Sequence, residues 1–289
     1  MTTDTYPEKP GNPDNWFTTQ QMGDGIFMIR EPGHVQCFLV CGGEKAVLID
    51  TGMGFLGIRP VVGRLTDLPV RVVNTHWHFD HTGGNAEFGD TGISGDDASL
   101  VTQPLSNALL SALYLAPCQQ SGISFPKAFD PSAYRISNPA PARILSDNDV
   151  LDLGGRTLAV IAAPGHTAGS LCFLDSLTGA LFCGDLVYRG TLYAHFHDSD
   201  IFAYKDSLAR LCRIRDRISR LYVCHNDPVL SPEFLETCHG FLDGVIRGRV
   251  RSTRDTDWGE PVLRYESGPM ALLAPCPDSP GIDLLACRL

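Results

Sequence analysis

The chain has 289 residues, 33 acidic and 23 basic, giving a formal net charge of −10. That balance argues against nucleic acid as a partner, because polyphosphates need concentrated Lys and Arg; the one basic cluster, Arg247, Arg249, Arg251 and Arg254, has acidic residues close behind it. With 43% hydrophobic residues and no apolar run of roughly eighteen, a sizeable core is expected, and neither a membrane span nor a secretory leader is.

Residues 1–20, polar and bearing several prolines, read as a flexible N-terminal arm, and 21–289 as one domain. From Gly25, short β-type runs at 26–29, 35–40 and 46–49 alternate with Gly, Pro and charged clusters, the pattern of an antiparallel meander; the third ends in Asp50-Thr51-Gly52. A short helix is expected over 56–65, then a buried strand over 70–73 running into Asn74-Thr75-His76, before Gly83-Gly84-Asn85 breaks the chain. Residues 98–140 are the least regular: a helical apolar stretch over 105–115 gives way to Pro, Ser, Gln and Gly, as in an active-site cover or a variable insertion. Strands resume at 149–153, 157–163, 171–175 and 180–183, with turns at Gly154-Gly155 and Thr178-Gly179. An amphipathic helix over 203–218, a strand over 221–224, a helix over 232–246 and a hairpin of 261–265 with 270–274 follow. Strands then helix, twice over, is the order of two packed sheets flanked by helices. The ten cysteines sit in apolar runs such as Cys37-Phe38-Leu39-Val40-Cys41 and read as buried reduced thiols, which suits a cytoplasmic location.

Nine histidines are the less ordinary number, and five of them, with two aspartates, follow strand-like runs. The core is His76-Trp77-His78-Phe79-Asp80-His81, directly after the 70–73 strand. Residues two apart in extended backbone point the same way, so His76 and His78 can reach one metal while Trp77 and Phe79 enter packing. Asp80 and His81 follow on the turn and can swing to a neighbouring position. Imidazoles mixed with carboxylates suit zinc, and a catalytic zinc keeps one position open for water. Further ligands must come from elsewhere, and His166, Asp185 and His225 each end a strand. Residues at strand ends on one edge of a sheet converge in space.

These motifs resemble the metallo-β-lactamase superfamily. Its H-x-H-x-D-H signature reads as His76, His78, Asp80 and His81, followed by Thr82-Gly83-Gly84-Asn85, and the later His, Asp and His motifs recur in order between about residues 25 and 226. The resemblance implies an α/β fold, an αββα sandwich of two mixed sheets flanked by helices, with a dinuclear metal site on its edge. Carried over, His76, His78 and His166 hold one ion, Asp80, His81 and His225 the other, and Asp185 bridges them. Two zinc ions are implied, with manganese or iron as alternatives. Asp50 matches an early Asp-Thr-Gly that supports the site from behind.

Two divalent ions sharing a water lower its pKa toward ~7 from ~16, so a bridging hydroxide can attack an activated acyl bond. Asp80 would orient that hydroxide, and Tyr188, three residues after Asp185, would donate a hydrogen bond to the substrate or else simply pack under the loop. Asp185 distinguishes the chain from the β-lactamases proper, and Gly23-Asp24-Gly25-Ile26-Phe27 with Gly184-Asp185-Leu186-Val187-Tyr188 is similar to the acyl-CoA thioesterases of the superfamily. Thioester cleavage of a small acyl substrate is therefore expected. Ring opening of a lactone, lactam or cyclic carbamate is the rival reading, and a mononuclear iron sulfur dioxygenase the rival from another class. His195, His197 and Asp198 read as a surface or pocket-rim decoy, His34 as a residue facing the site, and His239 as a structural or solvated helix residue. The apolar 105–115 stretch serves as a lid or as the contact of a homodimer.

Overall fold

The computed structural model describes residues 16–277 apart from His34, Ser121 and Ile123, so the expectation for His34 lies outside the described residues. Four strands, β1 (Thr18–Gly23), β2 (Ile26–Arg30), β3 (Gln36–Cys41) and β4 (Ala46–Ile49), pair in sequence as the expected antiparallel meander. Helix α1 (Arg59–Leu65), opened by Pro60, carries the chain back so that β5 (Val70–Val73) lies parallel to β4. A single helical turn, α2 (Phe79–Thr82), follows, and β6 (Thr91–Ser94) and β7 (Arg143–Leu145) extend the sheet in parallel to seven strands.

Between β6 and β7 the expected 105–115 helix is broken into α3 (Asn107–Leu110), a π-helical turn (Ser111–Leu115) and α4 (Ala116–Gln120). Pro117 has no N–H to continue a regular ladder, which accounts for the wider turn before it. A bridge from Leu105 to Ile136 closes the insertion. Its Leu105, Leu109, Leu110 and Leu115 are buried against the outer face of the first sheet, so these four leucines are covered within the chain.

Strands β8 (Val150–Asp152), β9 (Thr157–Ala162), β10 (Leu171–Asp175) and β11 (Ala180–Phe182) form a second antiparallel run. Strand β12 (Gly190–Tyr193) then leaves this sheet, and α5 (Ile201–Arg213) returns the chain to β13 (Arg220–Tyr222), parallel to β11, and β14 (Val229–Leu230). Asp200 caps α5 by accepting from the backbone of Phe202 and Ala203, so the helix starts earlier than hydrophobic spacing alone suggests. After α6 (Phe234–Ile246), β15 (Ser252–Asp257), β16 (Glu260–Ser267) and β17 (Met270–Pro275) join β12 in a third sheet. The tail hairpin was expected, but its union with β12 was not.

Alternation along the strands sorts the core into layers. On β3, Phe38 and Val40 face the inner layer with Phe173 of β10 and Phe182 of β11, while Cys37 and Leu39 face Val61 and Val62 of α1. On β10, Cys172 and Leu174 face outward to Leu208 and Leu211 of α5 and Leu235 of α6. Phe38 meets Phe182 and Tyr222 across the sandwich at 5.4 and 5.1 Å between ring centres. The order is helix, sheet, sheet, helix, the αββα sandwich anticipated. A buried clamp pins the layers: Arg156 donates to both oxygens of Asp175, at 2.8 and 2.7 Å, and to the carbonyls of Asp24 and Cys41.

Two expectations are corrected. The N-terminal arm cannot extend to residue 20, because Trp16 and Phe17 are buried in the core and Thr18 already pairs with Arg30; polar residues serve here as an exposed edge strand. The 203–218 helix ends at Arg213, and a short 3₁₀ turn (Arg215–Arg217) carries the chain into β13. As expected, Cys37, Cys172, Cys183, Cys224 and Cys238 are buried thiols. Among the described residues no helix is long and apolar enough to cross a membrane.

Candidate metal centre

One edge of the sandwich collects the carboxyl ends of five strands. Asp50 follows β4, His76 follows β5, His166 follows β9, Asp185 follows β11 and His225 follows β13. The pairs β4–β5 and β11–β13 are parallel, so their ends necessarily emerge on the same side. After β5 the chain stays extended through His78 (φ −57°, ψ 148°) and then coils into α2, which carries Asp80 and His81 off that track. Trp77 and Phe79 enter two separate apolar clusters, as their alternation requires. Gly165, beside His166, packs so tightly on α5 that a Cβ there would lie 2.3 Å from the Tyr204 backbone, which excludes any side chain.

All seven residues singled out as ligands from the sequence come together, and they fall into two groups. Ligand atoms of His76, His78 and His166 lie within 4.8 Å of one another, as do those of Asp80, His81 and His225. Asp185 stands between the groups: Oδ1 is 3.2 Å from His81 Nε2 and 3.0 Å from His225 Nε2, and Oδ2 is 3.6 Å from His166 Nε2. His78 Nδ1 and His166 Nε2 face each other at 2.9 Å.

Hydrogen bonds behind the rings fix which nitrogens carry protons. His166 Nδ1 donates to the Tyr193 carbonyl at 2.9 Å, leaving the lone pair on Nε2. His81 Nδ1 donates to Asp50 Oδ2 at 2.9 Å. Thr75 Oγ1 gives its proton to Asp50 Oδ2 at 2.8 Å, so it accepts from His76 Nδ1 at 3.0 Å and leaves His76 Nε2 bare. Asp50, fully buried, also accepts from Thr75 N through Oδ1 at 2.8 Å. Asp97, which the sequence reading missed, does the same for the backbone: it accepts from Trp77 N, Gly169 N and the Thr167 hydroxyl, binding the loops of His76 and His166 together. Burial pushes its carboxyl up to about 7. It too follows a strand end, that of β6, and the strand-end rule that found the ligands also points to it.

The two groups differ in charge. Burial, reinforced by the neighbouring imidazoles, drives His76 and His78 well below the usual histidine range, and burial also lowers His166. Burial opposes protonation of His81 and His225 as well, but the carboxylates of Asp185 and Asp80 override it and raise both. In return, His81 and His225 overcome burial to hold Asp80 down to about 2 and Asp185 well below the carboxylate range. Nε2 of His76 is buried without a hydrogen-bond partner among the described residues, and the Nε2 lone pair of His166 faces the His78 ring. Inward lone pairs left unsatisfied in a buried cluster of imidazoles and carboxylates are the donor set of a divalent transition metal.

A cavity of about 540 Å³ opens on this cluster. His78, Asp80, His166, Asp185 and His225 contribute its polar lining, and Tyr114, Tyr188, Tyr193, Phe196 and Trp258 much of the rest. Tyr188 is buried with its ring 5.2 Å from that of His225, and its hydroxyl donates to the Thr191 carbonyl. Tyr114 comes from the π-helical turn, within the 105–115 stretch expected to be helical, and Trp258 from the β15–β16 tip, which carried no pattern in the sequence. His195, expected at the surface or the pocket rim, is fully buried and held by Asp257 at 2.8 Å. His197 is exposed, Asp198 accepts from Trp77 Nε1 at 2.9 Å, and His239 is half-buried on α6.

Comparison with known proteins agrees with this geometry. The metallo-beta-lactamase superfamily model matches residues 30–225. The human protein named acyl-coenzyme A thioesterase MBLAC2 is 32% identical over 219 residues, covering 70% of this chain and 77% of that protein. A hydroxyacylglutathione hydrolase of Pseudomonas syringae pv. syringae is 27% identical over 208 residues, covering 71% of this chain and 62% of that protein. Among solved structures, a metallo-beta-lactamase from Pontibacter korlensis superposes with a TM-score of 0.56 at 20% identity, over 78% of this chain and 99% of that chain. The DIM-1 metallo-beta-lactamase gives 0.58 at 13% identity, over 79% of this chain and 98% of that chain; at these identities the likeness speaks to the fold alone. The chain belongs to the metallo-beta-lactamase superfamily.

Proposed function

We propose that the chain is a metal-dependent hydrolase of acyl thioesters, of the acyl-CoA type. The observation that carries the hydrolase reading is the cluster of bare, buried imidazole nitrogens and carboxylate oxygens on a substrate-sized cavity. His76, His78 and His166 would hold one divalent ion and Asp80, His81 and His225 the other, with Asp185 shared. Zinc suits this donor set, and such ions supply a water of lowered pKa and polarise the substrate carbonyl.

The residues around the cluster favour a thioester. Asp80, which His81 and His225 hold down to about 2 against burial, would accept a hydrogen bond from the attacking water rather than give a proton to the leaving group. Tyr188 donates its hydroxyl proton to the Thr191 carbonyl and would have to turn away from it to reach substrate. An alkyl thiol, with a pKa of about 8.5, leaves as its thiolate without needing a proton, whereas a lactam nitrogen does not. The name of the human relative points the same way. Buried thiols are consistent with a reducing, cytoplasmic setting, and a homodimer would have to use a surface other than the four covered leucines of the 105–115 stretch.

The test is elemental analysis followed by a hydrolysis panel of acyl-CoA thioesters, acyl-homoserine lactones, aryl esters, cyclic carbamates and a chromogenic cephalosporin. About two zinc ions per chain are expected, with thioesters turned over fastest and activity lost in His78→Ala and Asp80→Ala. A folded, metal-free protein inactive on the whole panel refutes the hydrolase reading. Oxygen uptake on a glutathione persulfide would redirect it to a sulfur dioxygenase.

A further inference from the structure

The tip of the β15–β16 hairpin carries a residue in a conformation its own type disfavours. Asp257 pairs with Glu260, so Trp258 and Gly259 form a two-residue turn, and both have positive φ, +47° and +84°. Turns of this kind take Asn-Gly, Asp-Gly or Gly-Gly, because a bulky side chain is crowded in left-handed backbone. A tryptophan persists there only where its surroundings hold it.

Two contacts hold it. Its ring packs on Phe196 with centres 5.5 Å apart, and Tyr193 stacks on Phe196 at 22°. One residue earlier, Asp257 Oδ2 accepts from Nε2 of the fully buried His195 at 2.8 Å. His195 Nδ1 has no hydrogen-bond partner among the described residues, so the bond to Asp257 is the polar contact that accounts for a histidine in this place. All three rings line the cavity that opens on the ligand cluster, and Trp258 reaches it from the β15–β16 hairpin, which lies outside the 30–225 span that the superfamily model matches.

We propose that Trp258, with Phe196 and Tyr193, forms the wall that binds an apolar acyl chain, and that His195, acting through Asp257, is the residue that positions it. The proposal rests on the reading of the site as an acyl-bond hydrolase. Strain at the tip is then the consequence of placing a flat apolar surface beside the reacting centre. The third sheet thereby acquires a role in selecting substrate.

The test compares kcat and KM on acetyl-, hexanoyl- and decanoyl-CoA for the wild type, Trp258→Asn, Asp257→Ala and Asp257→Asn, with decanoate binding measured by calorimetry. Trp258→Asn gives the turn its preferred Asn-Gly pair, so the hairpin keeps its shape while the ring is removed. Each methylene buried on the wall is worth roughly fourfold. Decanoyl-CoA is therefore expected to lose about tenfold or more in kcat/KM through KM, with acetyl-CoA within about threefold of wild type. Asp257→Ala should reproduce that profile, and Asp257→Asn, whose side-chain oxygen still accepts from His195, should restore the wild-type one. An unchanged profile in Trp258→Asn, or an equal loss at every chain length, overturns the proposal and leaves the hydrolase reading intact. If no acyl-CoA is turned over, the thioester reading fails and decanoate decides separately: weaker binding in Trp258→Asn upholds the wall, and equal binding, or none in the wild type, overturns it.

Discussion

Asp50→Asn separates the ligand cluster from the frame that orients it. The Asp50 carboxylate receives Thr75 N on Oδ1 and both Thr75 Oγ1 and His81 Nδ1 on Oδ2, at 2.8, 2.8 and 2.9 Å. An amide keeps the shape but puts an NH₂ group at one of the two positions. With the NH₂ at the Oδ2 position, His81 must accept on Nδ1 and move its proton to Nε2, the atom that faces Asp185. Flipped, the amide turns its NH₂ toward Thr75 N, and a buried donor is left without an acceptor. Loss of such a supporting partner lowers metal affinity by about 10–100-fold, equivalent to roughly 1.4–2.8 kcal/mol. The metal-free fold loses a further ~1–3 kcal/mol from the unmade buried hydrogen bond. Competition with a chromogenic chelator measures the first term, and urea unfolding in excess EDTA the second. Zinc affinity within about twofold of wild type in a normally folded variant refutes the argument, because the supporting effect it predicts is at least fivefold larger.

Arg156→Ala removes the clamp on Asp175 and on the Asp24 and Cys41 carbonyls, and a loss of about 3–5 kcal/mol in urea unfolding is expected, only partly recovered by Arg156→Lys. Glu31 is fully buried, accepting from Met53 N and Trp16 Nε1, and burial raises it from 4.5 to about 7. The folded chain therefore holds a proton on Glu31 that the unfolded chain has lost between those values, so this residue's share of stability, about 3 kcal/mol, should be lost as pH rises through that window; Glu31→Gln should remove that share from unfolding curves and leave the slope due to Asp97, which titrates in the same range. Tyr188→Phe should lower kcat by about tenfold or more with zinc content unchanged; an unaltered turnover number means the ring only packs.

The candidate ligands were legible because they obey a simple geometric rule. A mostly apolar run such as Val70–Val73 is readable as a strand, and a polar residue three or four positions past its end emerges at the sheet edge, as His76, His166, Asp185 and His225 all do. The layering was equally readable from alternation, as in Cys37 to Val40. What escaped was long-range and lacked periodicity. Strand β15, Ser-Thr-Arg-Asp-Thr-Asp, is exposed along almost its whole length, so nothing in its pattern marks a sheet, and its pairing with β16 is set by a turn at Trp258-Gly259 that departs from the usual residue types. His195 looked like a surface or pocket-rim histidine because the carboxylate that justifies its burial lies 62 positions away.

Backbone strain is distributed unevenly, and its placement bears on function. The described non-glycine residues with positive φ are Asp24, Asp50, Asn148, Asn226 and Trp258. Asp and Asn enter left-handed backbone at modest cost, and Asp24 and Asn148 sit in ordinary connections between strands. The other three surround the centre. Asp50 orients His81, while Asn226 lines the cavity, donates to the Arg189 carbonyl and receives Arg30 and Gln36 on its own carbonyl. Each is over-determined by hydrogen bonds that would be lost if the backbone relaxed, which is how a fold maintains a locally unfavourable conformation. Trp258 differs in kind: its side chain gains nothing from the turn, and what fixes it is aromatic packing together with the neighbouring Asp257–His195 bond. A sequence under pressure for stability alone would place Asn there, so the tryptophan is best explained by what its ring meets in the cavity.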